Sequence, residues 1–300
     1  HILQLLILTV WRSDLAFSQI DRAGRAQRSV ACGFWEEAFV KRWLIYSLVG
    51  IPVLAVLVWF GVPRGLTALG LHPHYEVPEM DLAGKRALIV TTSHRTLDPQ
   101  EEPTGVFASE MTAPYYAFHD AGMAVDIASI HGGPIPIEPV SLRWPLRSPP
   151  DERYLDDPQF ASRVQRSLDI ELVDIEAYDI VFLAGGWGAA YDFAQSGALG
   201  DQISRAYALG AVVGGVCHGP LGLLPARAPH GSPLVEGRRI SAVTDKQIEE
   251  LGITFTPKHP ERDLRAAGAE FEAQTSFRDF FANHVVVDGR LVTGQNQNSG

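Results

Sequence analysis

Four short, almost uninterrupted apolar runs alternate with stretches of helical spacing in the part of the chain after residue 85. The runs comprise residues 86–92, 123–129, 179–185 and 211–216. Runs of this kind are typical of parallel strands that helices cover on both faces. Residues 104–122 and 199–210 have helical spacing and end in glycine, a common helix terminator. The pattern predicts an α/β fold in which helices sandwich a parallel sheet.

Three further segments complete this prediction. Residues 238–244 have the composition of a fifth strand, and residues 284–294 predict a hairpin that turns at Asp288-Gly289. The polar segment 149–159 combines prolines with charged residues, so we expect a surface insertion there.

An uncharged apolar run, residues 43–60, predicts a membrane-spanning helix before the sheet. It is long enough to cross a bilayer, follows Lys41 and Arg42, and carries aromatic residues near both ends. A buried helix is the alternative, which Pro52 and the basic residues before the run disfavour. Because basic residues are concentrated before the run, we expect the globular part on the non-cytoplasmic side.

These patterns divide the chain into four parts. Residues 40–62 are interpreted as a membrane anchor or a signal segment, 63–85 as a linker, and 86–300 as the α/β domain. The origin of residues 1–39 stays open, because a start at Val40 would give a short basic leader that runs directly into the apolar segment.

Charge and cysteine content exclude several classes of protein. The chain has a formal net charge of −10. Its first 70 residues are net basic, so the globular part that follows carries a larger negative charge than the whole chain. Such acidity argues against a nucleic-acid partner, because phosphate binding depends on lysine and arginine. Cys32 and Cys217 are separated by the apolar run and cannot form a disulfide framework.

Cys217 is the strongest candidate for a catalytic residue. It lies in the sequence GGVCHGP, residues 214–220, between a predicted buried strand and a predicted helix. A cysteine at such a strand-to-helix turn exposes its side chain, and the N–H groups of the following helix favour the thiolate. We therefore expect a nucleophilic thiolate, with a buried and inert cysteine as the alternative.

Two other segments follow strands whose carboxyl ends lie at the same edge of the predicted sheet. The glycines of GGWG, residues 185–188, allow backbone N–H groups to form an oxyanion hole. The segment SEMTAP, residues 109–114, contains Glu110, which the sequence alone predicts to be an acid on a helix surface. If Glu110 were buried beside a thiol, its pKa would rise and it could move a substrate proton. The scattered histidines His94, His119 and His131 lack metal-ligand spacing, so we predict no metal site.

Six segments give the chain a resemblance to a known family. In order they are TGVFASEMTAPYYAF, AGMAVDIASIHGG, VFLAGGWGAAYDF, GGVCHGP, PLVEGRRISAVTD and DGRLVTGQNQNS. Residues 86–300 resemble the ThiJ/PfpI superfamily, which has the class I glutamine amidotransferase-like fold, and in particular its glyoxalase III and heat-shock chaperone branch. The resemblance implies a flavodoxin-like sheet and conversion of methylglyoxal to lactate without glutathione or any cofactor. It also implies a homodimer, the state of many members.

The same resemblance implies roles for individual residues. Cys217 corresponds to the nucleophile, His218 to its neighbouring acid or base, and Glu110 to a buried acid that contacts the thiol. Gly185 and Gly186 correspond to the backbone around the oxyanion.

The chain departs from the family pattern at two points. Trp187 stands where the family often has histidine, which places a large ring at the substrate pocket. The acid that orients the histidine usually follows the TD motif closely, and this chain has Ile248 near the expected place. The acids available there are Asp245, Glu249 and Glu250, of which we predict Glu249.

Two other functions stay open from the sequence. The segment His259-Pro260-Glu261 has the His-x-Glu form of an amidase or protease triad, although we expect it to open a helix. A non-enzymatic chaperone or redox sensor, with Cys217 oxidised to a sulfinic acid, is the second alternative.

Overall fold

The computed structural model describes residues 29–68 and 80–299. The chain divides into two compact units between Val62 and Pro63. Most of the predicted leader and the centre of the predicted linker lie outside the described residues.

The first described element is one long helix, α1 (Ser29–Ala68). Its stretch Trp43–Leu66 has a mean hydropathy of 2.3 and 0% of it is buried, so its length and composition permit a membrane crossing. This is weak support for a span, because a signal sequence has the same properties. The helix also continues through the first residues of the predicted linker.

From residue 80 to residue 299 the chain alternates strands with helices. The strands are β1 (Arg86–Thr91), β2 (Thr96–Leu97), β3 (Glu102–Pro103), β4 (Ala124–Ser129), β5 (Leu168–Asp169), β6 (Ile180–Leu183), β7 (Val212–Val216), β8 (Arg239–Ile240), β9 (Glu270–Phe271), β10 (Val285–Asp288) and β11 (Leu291–Gly294). The α-helices are α2 (Ala108–Asp120), α3 (Pro149–Leu155), α4 (Pro158–Gln165), α5 (Ala189–Asp192), α6 (Gly197–Leu209), α7 (Asp245–Leu251) and α8 (Pro260–Ala266).

Seven of these strands form one sheet in the order β10-β11-β7-β6-β1-β4-β5. Neighbouring strands are parallel except for β10 and β11, which form an antiparallel hairpin. The four predicted runs are confirmed as β1, β4, β6 and β7, each slightly shorter than predicted. The carboxyl ends of β1, β6 and β7 therefore meet at one edge of the sheet, where parallel sheets bind their ligands.

Separate hydrophobic cores cover the two faces of the sheet, as alternating strand residues require. Along β1, Leu88 and Val90 belong to one core, to which α6 contributes. Ala87 and Ile89 belong to the other, to which α2 contributes. This arrangement confirms the predicted parallel sheet flanked by helices.

The predicted fifth strand is wrong as a member of this sheet. Only Arg239–Ile240 is extended, and it pairs with Glu270–Phe271 in a separate two-stranded sheet. The place beside β7 is taken by β11, because the predicted hairpin folds back and pairs Leu291 with Val213 in parallel. The hairpin itself is confirmed.

The predicted surface insertion is also corrected, because it forms two short helices that contribute to the core. Each begins with proline at one of its first positions, after Ser148 in α3 and Asp157 in α4. Proline is favourable there, since the first N–H groups of a helix have no partner within it. Tyr154 and Phe160 from these helices are buried.

Candidate active site

The turn that follows β7 places Cys217 in an unusual backbone conformation. Its φ is 60°, in the left-handed region that residues other than glycine rarely adopt. The Cys217 N–H donates to the carbonyl of Gly294 at 3.1 Å, and the Val243 N–H donates to the carbonyl of Cys217 at 3.1 Å. The chain continues into a short 3₁₀ helix, Gly219–Leu223, in place of the predicted α-helix. Neighbouring backbone thus holds the cysteine in a strained turn.

His218 lies beside the sulfur and is buried. Its Nδ1 is 3.4 Å from Sγ of Cys217. Its Nε2 is buried and has no hydrogen-bond partner among the residues that the structure describes. Burial, together with the nearby charge of His259, lowers the pKa of His218 to about 3. The imidazole is therefore neutral at physiological pH.

Glu110 reaches the same sulfur from the first turn of α2. It is 2% exposed, so the prediction of a helix-surface acid is wrong, and the burial that the family resemblance implies is confirmed. Burial raises the pKa of Glu110 to about 8, although the thiol of Cys217 and the Gly185 N–H act in the opposite direction. Neither carboxyl oxygen has a well-formed hydrogen bond within the described part of the chain. The carboxyl group is therefore mainly protonated at neutral pH.

The thiol does not have the low pKa that we predicted from its position. Burial and the charge of Glu110 raise the pKa of Cys217 well above its usual value. The N–H groups of Gly186 and His218 act in the opposite direction but do not compensate. The prediction of a resting thiolate is wrong because the sulfur is buried and only a 3₁₀ turn follows it. The resting site contains a neutral thiol.

The GGWG segment approaches the site closely, as predicted. A Cβ atom on Gly185 would lie 2.6 Å from the carbonyl oxygen of Val216 and 2.7 Å from the backbone nitrogen of His218, so only glycine fits. Gly186 has a φ of +107°, which also requires glycine. The ring of Trp187 lies 4.7 Å from the ring of His218, measured between centroids. The segment therefore brings the Gly186 N–H to Cys217, the Gly185 N–H to Glu110 and the ring of Trp187 to His218.

The structure does not bring Glu249 to His218. Glu249 is exposed on α7, whereas its neighbour Ile248 is 0% exposed and belongs to one apolar cluster with Cys217. The helix presents Ile248 on its inner face, and the adjacent residue points elsewhere. The prediction that Glu249 orients His218 has no support in this geometry.

His259 precedes α8, so the expected opening of a helix at this point is confirmed. Its Nδ1 is 3.8 Å from Oδ1 of Asp245, and Glu261 accepts a hydrogen bond from the Asp245 N–H. Sequence reasoning missed that the charge of His259 reaches His218. The proximity of His259 to His218 depends on the packing of α7 against α8, which the sequence does not show.

His94, His119 and His131, which the sequence suggested as possible metal ligands, do not form a metal-binding cluster. His94 stacks on Tyr191, and His119 lies in the last turn of α2. Within residues 29–68 and 80–299, no group of three or more His, Cys, Asp or Glu residues is arranged to hold a metal ion.

Comparison with known proteins identifies the family. The model of the DJ-1/PfpI family matches residues 103–300. The chain belongs to the DJ-1/PfpI family. The glutathione-independent glyoxalase HSP31 of Saccharomyces cerevisiae is 31% identical over 226 residues, which cover 72% of this chain and 93% of that protein. Glyoxalase 3 of Candida albicans is 29% identical over 227 residues, with the same coverage of each chain.

Solved structures of the family agree with this assignment. The crystal structure of glyoxalase III from Candida albicans superimposes with a TM-score of 0.66 at 26% identity, covering 72% of this chain and 92% of that one. The Rapid Encystment Protein of 24 kDa from Francisella tularensis has a TM-score of 0.67 at 30% identity, covering 72% and 93%. These similarities confirm the predicted ThiJ/PfpI superfamily and its glyoxalase III branch.

Proposed function

We propose that the domain is a glutathione-independent glyoxalase, which converts a 2-oxoaldehyde such as methylglyoxal into a 2-hydroxy acid at Cys217. The observation that carries the proposal is the contact of one thiol with both a buried carboxyl group and a buried imidazole. The relatives named as glutathione-independent glyoxalases support it over most of the domain. Such a site performs proton transfers next to a nucleophile.

Several buried polar atoms around the sulfur have no hydrogen-bond partner within the described residues. Both carboxyl oxygens of Glu110 and Nε2 of His218 lack hydrogen-bond partners within residues 29–68 and 80–299. Because buried polar groups are normally paired, such atoms in one site indicate the place of a polar ligand. The two carbonyl oxygens of a 2-oxoaldehyde suit a protonated carboxyl group and backbone N–H groups.

Addition to the aldehyde begins from neutral groups. The sulfur of Cys217 bonds to the aldehyde carbon, the thiol proton passes to Nδ1 of His218, and Glu110 donates its proton to the aldehyde oxygen. The product is a hemithioacetal beside an imidazolium and a carboxylate, whose opposite charges stabilise each other.

Transfer of hydrogen between the two carbons follows. The carboxylate of Glu110 removes the hydrogen from the former aldehyde carbon, and the imidazolium protonates the ketone oxygen, which gives an enediol. Glu110 then delivers its proton to the former ketone carbon. His218 accepts the hydroxyl proton from the carbon bonded to sulfur, which leaves a thioester.

Hydrolysis completes the reaction. The hydroxyl group of water bonds to the acyl carbon and the bond between that carbon and sulfur breaks. The other proton of the water restores the thiol, and His218 returns its proton to Glu110. The aldehyde carbon is oxidised as the ketone carbon is reduced, so the reaction consumes only water.

The two alternatives from the sequence have less support. A redox-sensing cysteine combines a low pKa with exposure, whereas Cys217 is 7% exposed and its pKa is raised. An amidase-type triad needs His259 at the sulfur, where the structure has His218.

The experiment that tests the proposal measures lactate. The full chain in detergent micelles, supplied with methylglyoxal and no glutathione, is expected to produce lactate, and Cys217→Ser to produce none above the rate without enzyme. Circular dichroism verifies that the variant is folded. Equal lactate production by both proteins would overturn nucleophilic catalysis by Cys217.

We also propose that α1 anchors this enzyme in a membrane with its domain on the non-cytoplasmic side. Large apolar side chains of Trp43–Leu66 are exposed, and Lys41-Arg42 stand before them. External protease acting on spheroplasts that express the full chain is expected to degrade the domain. Resistance of the domain until the membrane is permeabilised would overturn this orientation.

A further inference from the structure

In the part of the chain that the structure describes, no acid is hydrogen-bonded to the side of His218 that faces away from Cys217. Nδ1 faces the sulfur at 3.4 Å, whereas Nε2 is buried without a hydrogen-bond partner among the described residues. A histidine that accepts a thiol proton needs a fixed ring orientation. Since no hydrogen bond to Nε2 supplies it here, another contact must do so.

Trp187 makes that contact. Its ring centroid is 4.7 Å from that of His218, and the two ring planes are inclined by 51°. Trp187 is itself held, because it packs against the cluster of Val216, Cys217, Val243 and Ile248. The left-handed conformation of Gly186 before it, with a φ of +107°, directs this turn of the chain.

Helix α7 adds apolar surface where it could have added a carboxylate. Its inward residue is Ile248, which is fully buried in the same cluster as Cys217, while Glu249 is exposed. The titratable groups around His218 are thus Cys217 and Glu110 on the sulfur side, and His259 before α8. Nδ1 of His259 lies 3.8 Å from Oδ1 of Asp245.

We propose that Trp187 is the positioning residue of His218, and that packing by Trp187 against the Ile248 cluster replaces the carboxylate that would otherwise hold the imidazole. The inference rests on the proposed function, in which Nδ1 accepts the proton of the thiol. An indole ring fixes the imidazole while stabilising its charged form less than a hydrogen-bonded carboxylate does. The proton that His218 accepts is therefore held weakly and is returned readily to Glu110.

Substitutions of Trp187 test directly whether its ring positions the imidazole of His218. In the full chain, Trp187→Ala is expected to lower kcat by about 10- to 100-fold with little change in KM, because the reacting groups lose their alignment. Trp187→Phe keeps an aromatic face and is expected to recover most of kcat. Trp144→Ala, which removes a tryptophan elsewhere, is the matched control and keeps the wild-type kcat.

Ile248→Glu tests the effect of placing a carboxylate at the inward position of α7, near His218. A charge on the inner face of α7 is expected to move the titration of His218, followed by NMR of the imidazole, upward by at least about one pH unit. Glu249→Gln is the matched control and leaves the titration unchanged. If Ile248→Glu does not fold, the kinetics of the Trp187 variants test the inference in its place.

A readout without turnover separates this inference from the proposed function. The rate at which iodoacetamide alkylates Cys217, measured against pH, reports the transfer of the thiol proton even if methylglyoxal is not the substrate. Trp187→Ala is expected to change this profile, and Trp187→Phe to restore it. Wild-type alkylation and kcat in Trp187→Ala, or a His218 titration that shifts in Glu249→Gln, would overturn the inference.

Discussion

Helices α2 and α7 both reach the turn at Cys217, yet only α2 brings a carboxyl group to it. Glu110 in the first turn of α2 is 2% exposed, whereas α7 buries Ile248 completely and exposes Glu249. Adjacent residues of a helix differ in direction by about 100°, so a shift of one position in the sequence decides which side chain faces the site. The comparison shows that an acid near a motif becomes part of a site only through helical phase.

Removing each acid in turn tests this comparison with the largest expected effect. We expect Glu110→Gln to lower kcat/KM by about 10²- to 10⁴-fold, because the amide neither donates nor accepts the transferred proton. Glu249→Gln, the matched control on α7, is expected to stay within about twofold of the wild type, as is usual for exposed positions. Steady-state kinetics of lactate formation measures both, and similar losses in the two variants would contradict the contrast.

The pH dependence of catalysis sharpens the comparison, because it identifies the group that titrates. His218 has a pKa of about 3 and is neutral at and above neutral pH. Glu110 has a pKa of about 8 and must be protonated to start the reaction. We therefore expect kcat/KM to be level through neutral pH and to decline above about pH 8. A change in kcat/KM near the ordinary pKa of histidine would show instead that the pKa of His218 is not lowered by burial.

Stability against pH tests the burial of Glu110 without any substrate. Its pKa rises from 4.5 to about 8 on folding, so within this range the folded chain keeps a proton that the unfolded chain has lost. The free energy of unfolding therefore falls as pH rises. The lowered pKa of His218 has the opposite effect only below its ordinary value of 6.5.

The window between pH 6.5 and pH 8 therefore isolates Glu110. We expect a loss of up to about 2 kcal/mol across it, which Glu110→Gln removes and Glu249→Gln does not. Urea denaturation at a series of pH values, followed by tryptophan fluorescence, measures this slope. A slope that persists in Glu110→Gln would assign the effect to another group.

The smallest expected effect concerns the turn to which both helices pack. Cys217 has a φ of 60°, so Cys217→Gly relieves backbone strain that Cys217→Ala retains. We expect the glycine variant to be more stable than the alanine variant by about 1 kcal/mol. Equal stability in urea denaturation would indicate that the turn relaxes once the sulfur is removed.

The sequence by itself determined the parallel sheet, because buried strands need continuous apolar runs and these are local in the chain. It also determined the position of Cys217 at the carboxyl edge, and the glycines of GGWG, since close approach excludes a Cβ atom. The motifs around Cys217, His218 and Glu110 were sufficient to predict the family.

Only the tertiary structure decided the charge state of the site and the partner of β7. The thiol is neutral because packing buries it beside Glu110, and no local pattern measures burial. The strand beside β7 comes from the terminal hairpin, not from residues 238–244, because sheet pairing joins distant segments. Trp187 supports His218, and Glu249 does not, because the phase of a helix against its neighbours is fixed when the elements pack.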